Sequence, residues 1–152
     1  MRNKDASGTR PRNPWPWITV GWCALLYWMS SGPVNAPGMG LPGVDKVAHG
    51  VAYAILAVLA TLSLERDWRH WSPAALRWLP VLFTAVYGLS DEAHQYFVAS
   101  RQADLLDWLA DAVGGLAGGI LMTQTRHFRF AVGVGGRLPI LAAAREGAPD
   151  HD

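Results

Sequence analysis

Charge is what this chain has least of. Only 16% of its residues are Asp, Glu, Lys or Arg, where a soluble domain carries roughly a quarter. Cysteine is almost absent. Cys23 stands alone in an apolar run, which excludes an internal disulfide and a thiolate metal cluster. The net charge of +1 gives no electrostatic case for a nucleic-acid partner, and none is expected. Internal repeats are lacking too, and 152 residues suit one compact unit.

What is abundant is apolar. Just over half of the residues are hydrophobic, and eight are Trp, a residue enriched where helices meet a bilayer interface. Four apolar runs stand out, at about 15–31, 47–64, 76–98 and 105–122. Each supplies about the 17–25 helical residues that a bilayer requires. Backbone polar groups cannot stay open in lipid, so each span should be helical. The expected fold is an all-α, polytopic membrane bundle of about four transmembrane helices over residues 15–123.

The rest is connection. Residues 1–14 read as a basic tail carrying Arg2, Lys4, Arg10 and Arg12. Residues 32–44 are rich in Gly and Pro and read as a loop. Residues 65–75 form a charged loop in which Ser72-Pro73 can start the next helix. Residues 124–152 read as a tail, partly interfacial or disordered. A signal peptide is the rival reading of the first span, with Val34-Asn35-Ala36 as a cleavage site. The apolar run is long for that role and Pro37 would follow the cut, which favours an uncleaved helix.

Four spans divide the thirteen Lys and Arg unequally. Eleven fall in the two tails and the 65–77 region, and only Lys46 and Arg101 fall on the other side. By the positive-inside rule both termini are cytoplasmic, and residues 32–46 and 99–104 face outward.

The unusual chemistry gathers at that outward face. Asp45, His49 and Tyr53 follow one another at i, i+4 and i+8. At 100° per residue, Thr84, Tyr87, Asp91, His94 and Gln95 share an arc of about 100°, with Glu92 to one side. Asp104, Asp107, Asp111, Gly114, Gly115 and Gly118 share another, opposite Leu105, Leu109, Val113, Leu116 and Ile120. Asp111 lies roughly 10 Å along the helix from Asp104. A carboxylate that deep costs on the order of 3 kcal/mol unless it faces a polar cavity or a partner.

Plainer roles compete at several of these positions. Gly114-x-x-x-Gly118 and Gly115-x-x-x-Gly119 read as close helix packing. Asp104 and Asp107 also suit a helix start, where acids meet the dipole. Asp91-x-x-His94 has workable metal spacing, but no two His stand at i, i+4, so no metal or other cofactor is expected. Ser90 has no triad arrangement.

The motifs Asp45-Lys46-x-x-His49-x-x-x-Tyr53, Tyr87-Gly88-x-Ser90-Asp91-Glu92-x-x-Gln95, Arg101-x-x-Asp104-x-x-Asp107 and Gly114-Gly115-x-x-Gly118 together resemble the VanZ-like family of small bacterial membrane proteins. The family often has Asn where this chain has Asp111. The resemblance implies a multi-pass protein of the bacterial inner membrane. The family's name comes from a member linked to resistance to the lipoglycopeptide teicoplanin.

Two functions follow as expectations. One is an enzyme-like site at the outer leaflet for an envelope or lipid-linked substrate. Asp91, Glu92 and Asp107 would be its acids and bases, and Asp45, Lys46, His49, Tyr53, Gln95, Arg101, Asp104 and Asp111 would bind or orient the ligand. The other is a non-catalytic accessory protein affecting envelope assembly, permeability or glycopeptide susceptibility. A proton-coupled carrier would need inverted repeats or broken helices, and the sequence carries neither signal.

Overall fold

A computed structural model of the chain describes residues 13–32, 43–67, 70–99, 101 and 103–131, and the side chains of all of these except 66, 67 and 126–131. The basic stretch before residue 13, the Gly- and Pro-rich stretch with Val34-Asn35-Ala36, Arg69, Gln102 and the tail from 132 onward lie outside the described residues. The described residues form four α-helices and no strand: α1 (Trp15–Ser30), α2 (Val44–Asp67), α3 (Pro73–Gln95) and α4 (Leu105–Ala131).

Local chemistry sets the helix ends. Pro16 stands in the first turn of α1, where a missing N–H costs nothing. Gly43 takes φ +82, a conformation open to glycine, and turns the chain into α2. That helix therefore starts at Val44 and not at 47, and Asp45 and Lys46 are helical. Ser72 caps α3 by accepting from Ala75 N at 3.1 Å, as the Ser-Pro pair predicts. The expected span, which turns polar at Ser90, continues to Val98, but α3 ends at Gln95. Beyond it Phe97 N and Val98 N bond three residues back, to His94 O and Gln95 O, and the chain tightens into a turn. Asp104 caps α4, its Oδ1 accepting from Leu106 N at 2.9 Å. Hydropathy falls after Met122, yet α4 runs on to Ala131. Polar residues end an apolar run without ending helical hydrogen bonding.

α2 and α4 are the most intimate pair, α3 lies against both, and α1 packs mainly on α2. The glycines explain the intimacy. A Cβ on Gly114 would overlap Gly50 O, and one on Gly118 would overlap Ala54 O. Gly115 and Gly119 face α3 instead, where a Cβ would come within 2.9 Å of Thr84 Cγ2 and 2.7 Å of Val81 Cγ2. The two glycine pairs thus seat α4 against two helices at once, the packing role the small-residue spacing suggests. Where α1 meets the others, Leu26, Tyr53 and Leu56 form a core with Trp22, Cys23 and Tyr87 packed on it.

The outward faces are apolar. Leu105, Leu109, Val113, Leu116 and Ile120 are all exposed along α4, as the helical arc predicts. Trp17, Val20 and Trp28 on α1, Val47 and Val51 on α2, and Leu82, Val86 and Leu89 on α3 are exposed too. Val44–Glu65 and Leu105–Thr125 are long and apolar enough to cross a membrane.

Candidate functional site

The ends of α1 and α3 and the starts of α2 and α4 come together at one end of the bundle. Every site residue singled out in the sequence sits there. They form an outer ring, an inner ring and a branch towards α1.

Lys46 makes the outer ring. Its ammonium donates to Asp45 Oδ2 at 3.0 Å, Asp104 Oδ2 at 2.8 Å and Asp107 Oδ1 at 2.6 Å. All three of its donors are engaged. Lys46 from α2 thereby ties down the start of α4. The Lys46 hydrogen bond, followed by the one from Leu106 N, holds the Asp104 carboxyl below the usual carboxylate range.

One turn deeper is the inner ring. His49 Nδ1 lies 3.0 Å from Asp111 Oδ1. Glu92 Oε2 accepts from Asp104 N at 2.8 Å, so the inner ring also braces the cap of α4. Single ligand atoms from His49, Glu92 and Asp111 all lie within 4.8 Å of one another. Asp111 is fully buried, Tyr53 is 1% exposed and Glu92 6%. Three buried polar atoms here have no hydrogen-bond partner among the described residues: Tyr53 Oη, Glu92 Oε1 and Asp111 Oδ2. The Tyr53 ring stacks on His49 at 6.4 Å. Gly88 closes the other side. A Cβ there would stand 2.9 Å from Asp111 Oδ2 and 3.2 Å from Tyr53 Cε1, so the glycine keeps room for both.

The branch reaches α1. Ser30 Oγ donates to Asp91 Oδ1 at 2.6 Å, and Gln95 Nε2 donates to Asp91 Oδ2 at 3.2 Å. Arg101 donates through Nε to Gly32 O at 2.8 Å and through Nη2 to Met29 O at 2.6 Å. It caps the carbonyls that α1 leaves open at its C-terminus. Tyr87 Oη donates to Cys23 O at 2.6 Å.

Two placements differ from the arc geometry of α3. Glu92, to one side of the arc, is buried towards α4, while His94, inside the arc, turns to α1 and lies 3.1 Å from Ser31 Oγ. The reason is that α3 has neighbours on two sides, so one polar arc serves two partners. The Asp91-x-x-His94 spacing consequently does not converge. One imidazole and two carboxylates from three different helices do.

Sequence reasoning misses Ser30 and the indoles of Trp22 and Trp108, which donate to Ala52 O and Ala85 O, both at 3.0 Å, and it names Gly88 in a motif without a role in the site. Gly88 carries a readable signal, since a glycine inside a helix costs about 1 kcal/mol relative to Ala. Ser30 has none beyond being a hydroxyl at the end of an apolar run.

A groove of about 370 Å³ runs along the outside of the bundle between α2 and α4. Val47, Gly50, Ala54, Ala110, Val113 and Ala117 line it, and Lys46 lies at its polar end.

These features define a helical bundle with ionisable groups buried at one end and an apolar exterior. The chain belongs to the VanZ/LLP1 family, whose model matches residues 11–126. That stretch includes every site residue and all but the last turn of α4. No curated protein and no solved structure matches the chain.

Proposed function

We propose that this is a four-span protein of the bacterial cytoplasmic membrane, with both termini in the cytoplasm, that binds or processes an envelope or lipid-linked substrate at its outward polar end. The exposed apolar faces of α1 and α3 support four spans, since such surfaces on all four helices suit lipid and not water. The distribution of Lys and Arg supports the orientation.

The observation that carries the substrate reading is the apolar groove ending at Lys46. On this reading a lipid chain lies along the groove and its headgroup meets Lys46, with the acids bonded to Lys46 behind it. Asp91, Glu92 and Asp107 are the proposed acids and bases. An anionic headgroup has to exchange for at least one carboxylate on Lys46, because that ammonium has no free donor.

A second reading is a non-catalytic accessory protein. It is favoured by how completely Lys46, Arg101 and Asp91 are engaged in bonds that hold the bundle together.

One experiment separates them. The full chain in lipid nanodiscs is incubated with labelled polyprenyl-phosphate-linked sugars. The substrate reading expects saturable binding or turnover that Glu92→Gln and Asp107→Asn abolish at unchanged membrane abundance. No binding across a broad panel, with Asp91→Asn lowering abundance, leaves the accessory reading.

A further inference from the structure

Every carboxylate of the outer ring has an ammonium beside it, and those of the inner ring do not. Six carboxylates, of Asp45, Asp91, Glu92, Asp104, Asp107 and Asp111, gather at this end of the bundle, against Lys46 and Arg101. Lys46 is taken by the outer ring, and Arg101 spends two of its N–H donors on carbonyl oxygens. Among the described residues no ammonium or guanidinium forms an ion pair with Glu92 or Asp111. Buried carboxylates without a cation are costly.

We propose that His49, Glu92 and Asp111 bind a divalent transition-metal ion of the Zn²⁺ or Mn²⁺ class. Three observations carry this. Their ligand atoms converge from three separate helices to within 4.8 Å. Glu92 Oε1 and Asp111 Oδ2, both on nearly or fully buried side chains, have no partner. The Tyr53 hydroxyl, one turn beyond His49 on α2 and with its ring stacked on that imidazole, is likewise without a hydrogen-bond partner among the described residues. Lys46, Arg101, Gln95 and Ser30 bond the other polar groups named at this end of the bundle, so the orphaned atoms concentrate in one ring, where a bound ion would satisfy them.

The donor set selects the ion. An imidazole with two carboxylates suits Zn²⁺, Mn²⁺ or Fe²⁺, whereas Mg²⁺ and Ca²⁺ prefer oxygen alone. Three protein ligands leave a coordination position open, the arrangement of catalytic and not structural zinc sites. Gly88 contributes by leaving room next to Asp111. The inference goes beyond the substrate reading and does not rest on it.

The test uses the tag-free full chain in detergent, stripped with chelator and then equilibrated with Zn²⁺, Mn²⁺, Mg²⁺ or Ca²⁺. Metal is counted by mass spectrometry, and affinity is read by calorimetry. One equivalent of Zn²⁺ or Mn²⁺ per chain is expected. Binding should weaken about 100-fold or more in His49→Ala and in the near-isosteric Asp111→Asn, and stay unchanged in Ser90→Ala. Glu92→Gln provides a third variant should either of the first two fail to accumulate. Added metal should raise the Tm of the wild type and not of the variants. Absence of a stoichiometric ion, equal affinity in the variants, or preference for Mg²⁺ or Ca²⁺ overturns the proposal. No lipid precursor enters the assay, so its outcome and that of the substrate test are independent.

Discussion

The inner face of α4 changes character between Asp111 and Gly114. Below that point Gly114 and Gly118 let the α4 backbone meet that of α2, and Gly115 and Gly119 let it meet the Thr84 and Val81 side chains of α3. Above it Asp107 and Asp111 reach into the bundle and meet side chains from α2 and α3, and polar atoms are left without partners. One face of one helix therefore does two jobs. The glycine half sets backbone and small side chains in direct contact and leaves no room for a Cβ at Gly114, Gly115, Gly118 or Gly119, which is what packing requires. The acid half is itself divided, since its outer ring is satisfied and its inner ring is not. Unsatisfied atoms, more than acidity, distinguish a site from a brace.

The sharpest way to break the comparison is Gly114→Leu. Overpacking a core costs about 1–3 kcal/mol where side chains can shift. At Gly114 the obstacle is the Gly50 backbone, which can move only by separating α2 from α4. The variant should fail to accumulate in membranes, while Val113→Leu, one residue away on the exposed face, should accumulate normally. Immunoblots of membrane fractions check both. Normal abundance of Gly114→Leu would mean that the glycine half is not the structural half.

A smaller effect is expected from Lys46→Met. Three carboxylates then lose their shared cation and repel one another. The long Met side chain keeps the apolar stem, so packing changes little. Tm in detergent should fall by several degrees, since about 1 kcal/mol already moves a domain of this size by a few. Lys46→Met/Asp107→Asn should recover part of the loss, because one of the repelling charges is gone. An unchanged Tm for the single variant would move Lys46 from brace to binding residue and join the two rings into one site.

The sequence makes much of this legible and for definite reasons. From Leu105 to Met122 α4 can be read along its two faces, because its apolar stripe is exposed, its inward stripe is buried, and each meets one kind of surroundings. The four helices are legible because apolar runs of that length leave the backbone few alternatives. α3 is harder. Asp91 and His94, inside the arc, face α1, while Glu92, to one side of it, faces the start of α4, since the two helices approach from different sides. The inner ring is the hardest part. His49, Glu92 and Asp111 are far apart in the chain, and no local spacing encodes their convergence. Arg101 shows the same limit, because nothing in its neighbours announces that it caps α1.

The smallest expected effect tests whether the outer ring is electrostatic at all. Asp104 lies just outside α4, with its carboxyl held below the usual range by Lys46. A depressed folded-state pKa contributes stability above the unfolded value of about 3.9, and that contribution is lost as pH falls through the lower folded value. Asp104→Asn removes the charge and keeps the helix cap, because Asn caps about as well as Asp. Near neutral pH the variant should therefore melt slightly below the wild type. As pH falls below about 4 the gap should close, since the wild-type carboxyl is then becoming neutral as well. Melting curves of both proteins between neutral pH and the acid limit would show it. A gap that persists in acid would mean that Asp104 holds its place by shape and hydrogen bonding, in which case the outer ring owes its order to the cap and to Glu92 Oε2 more than to Lys46.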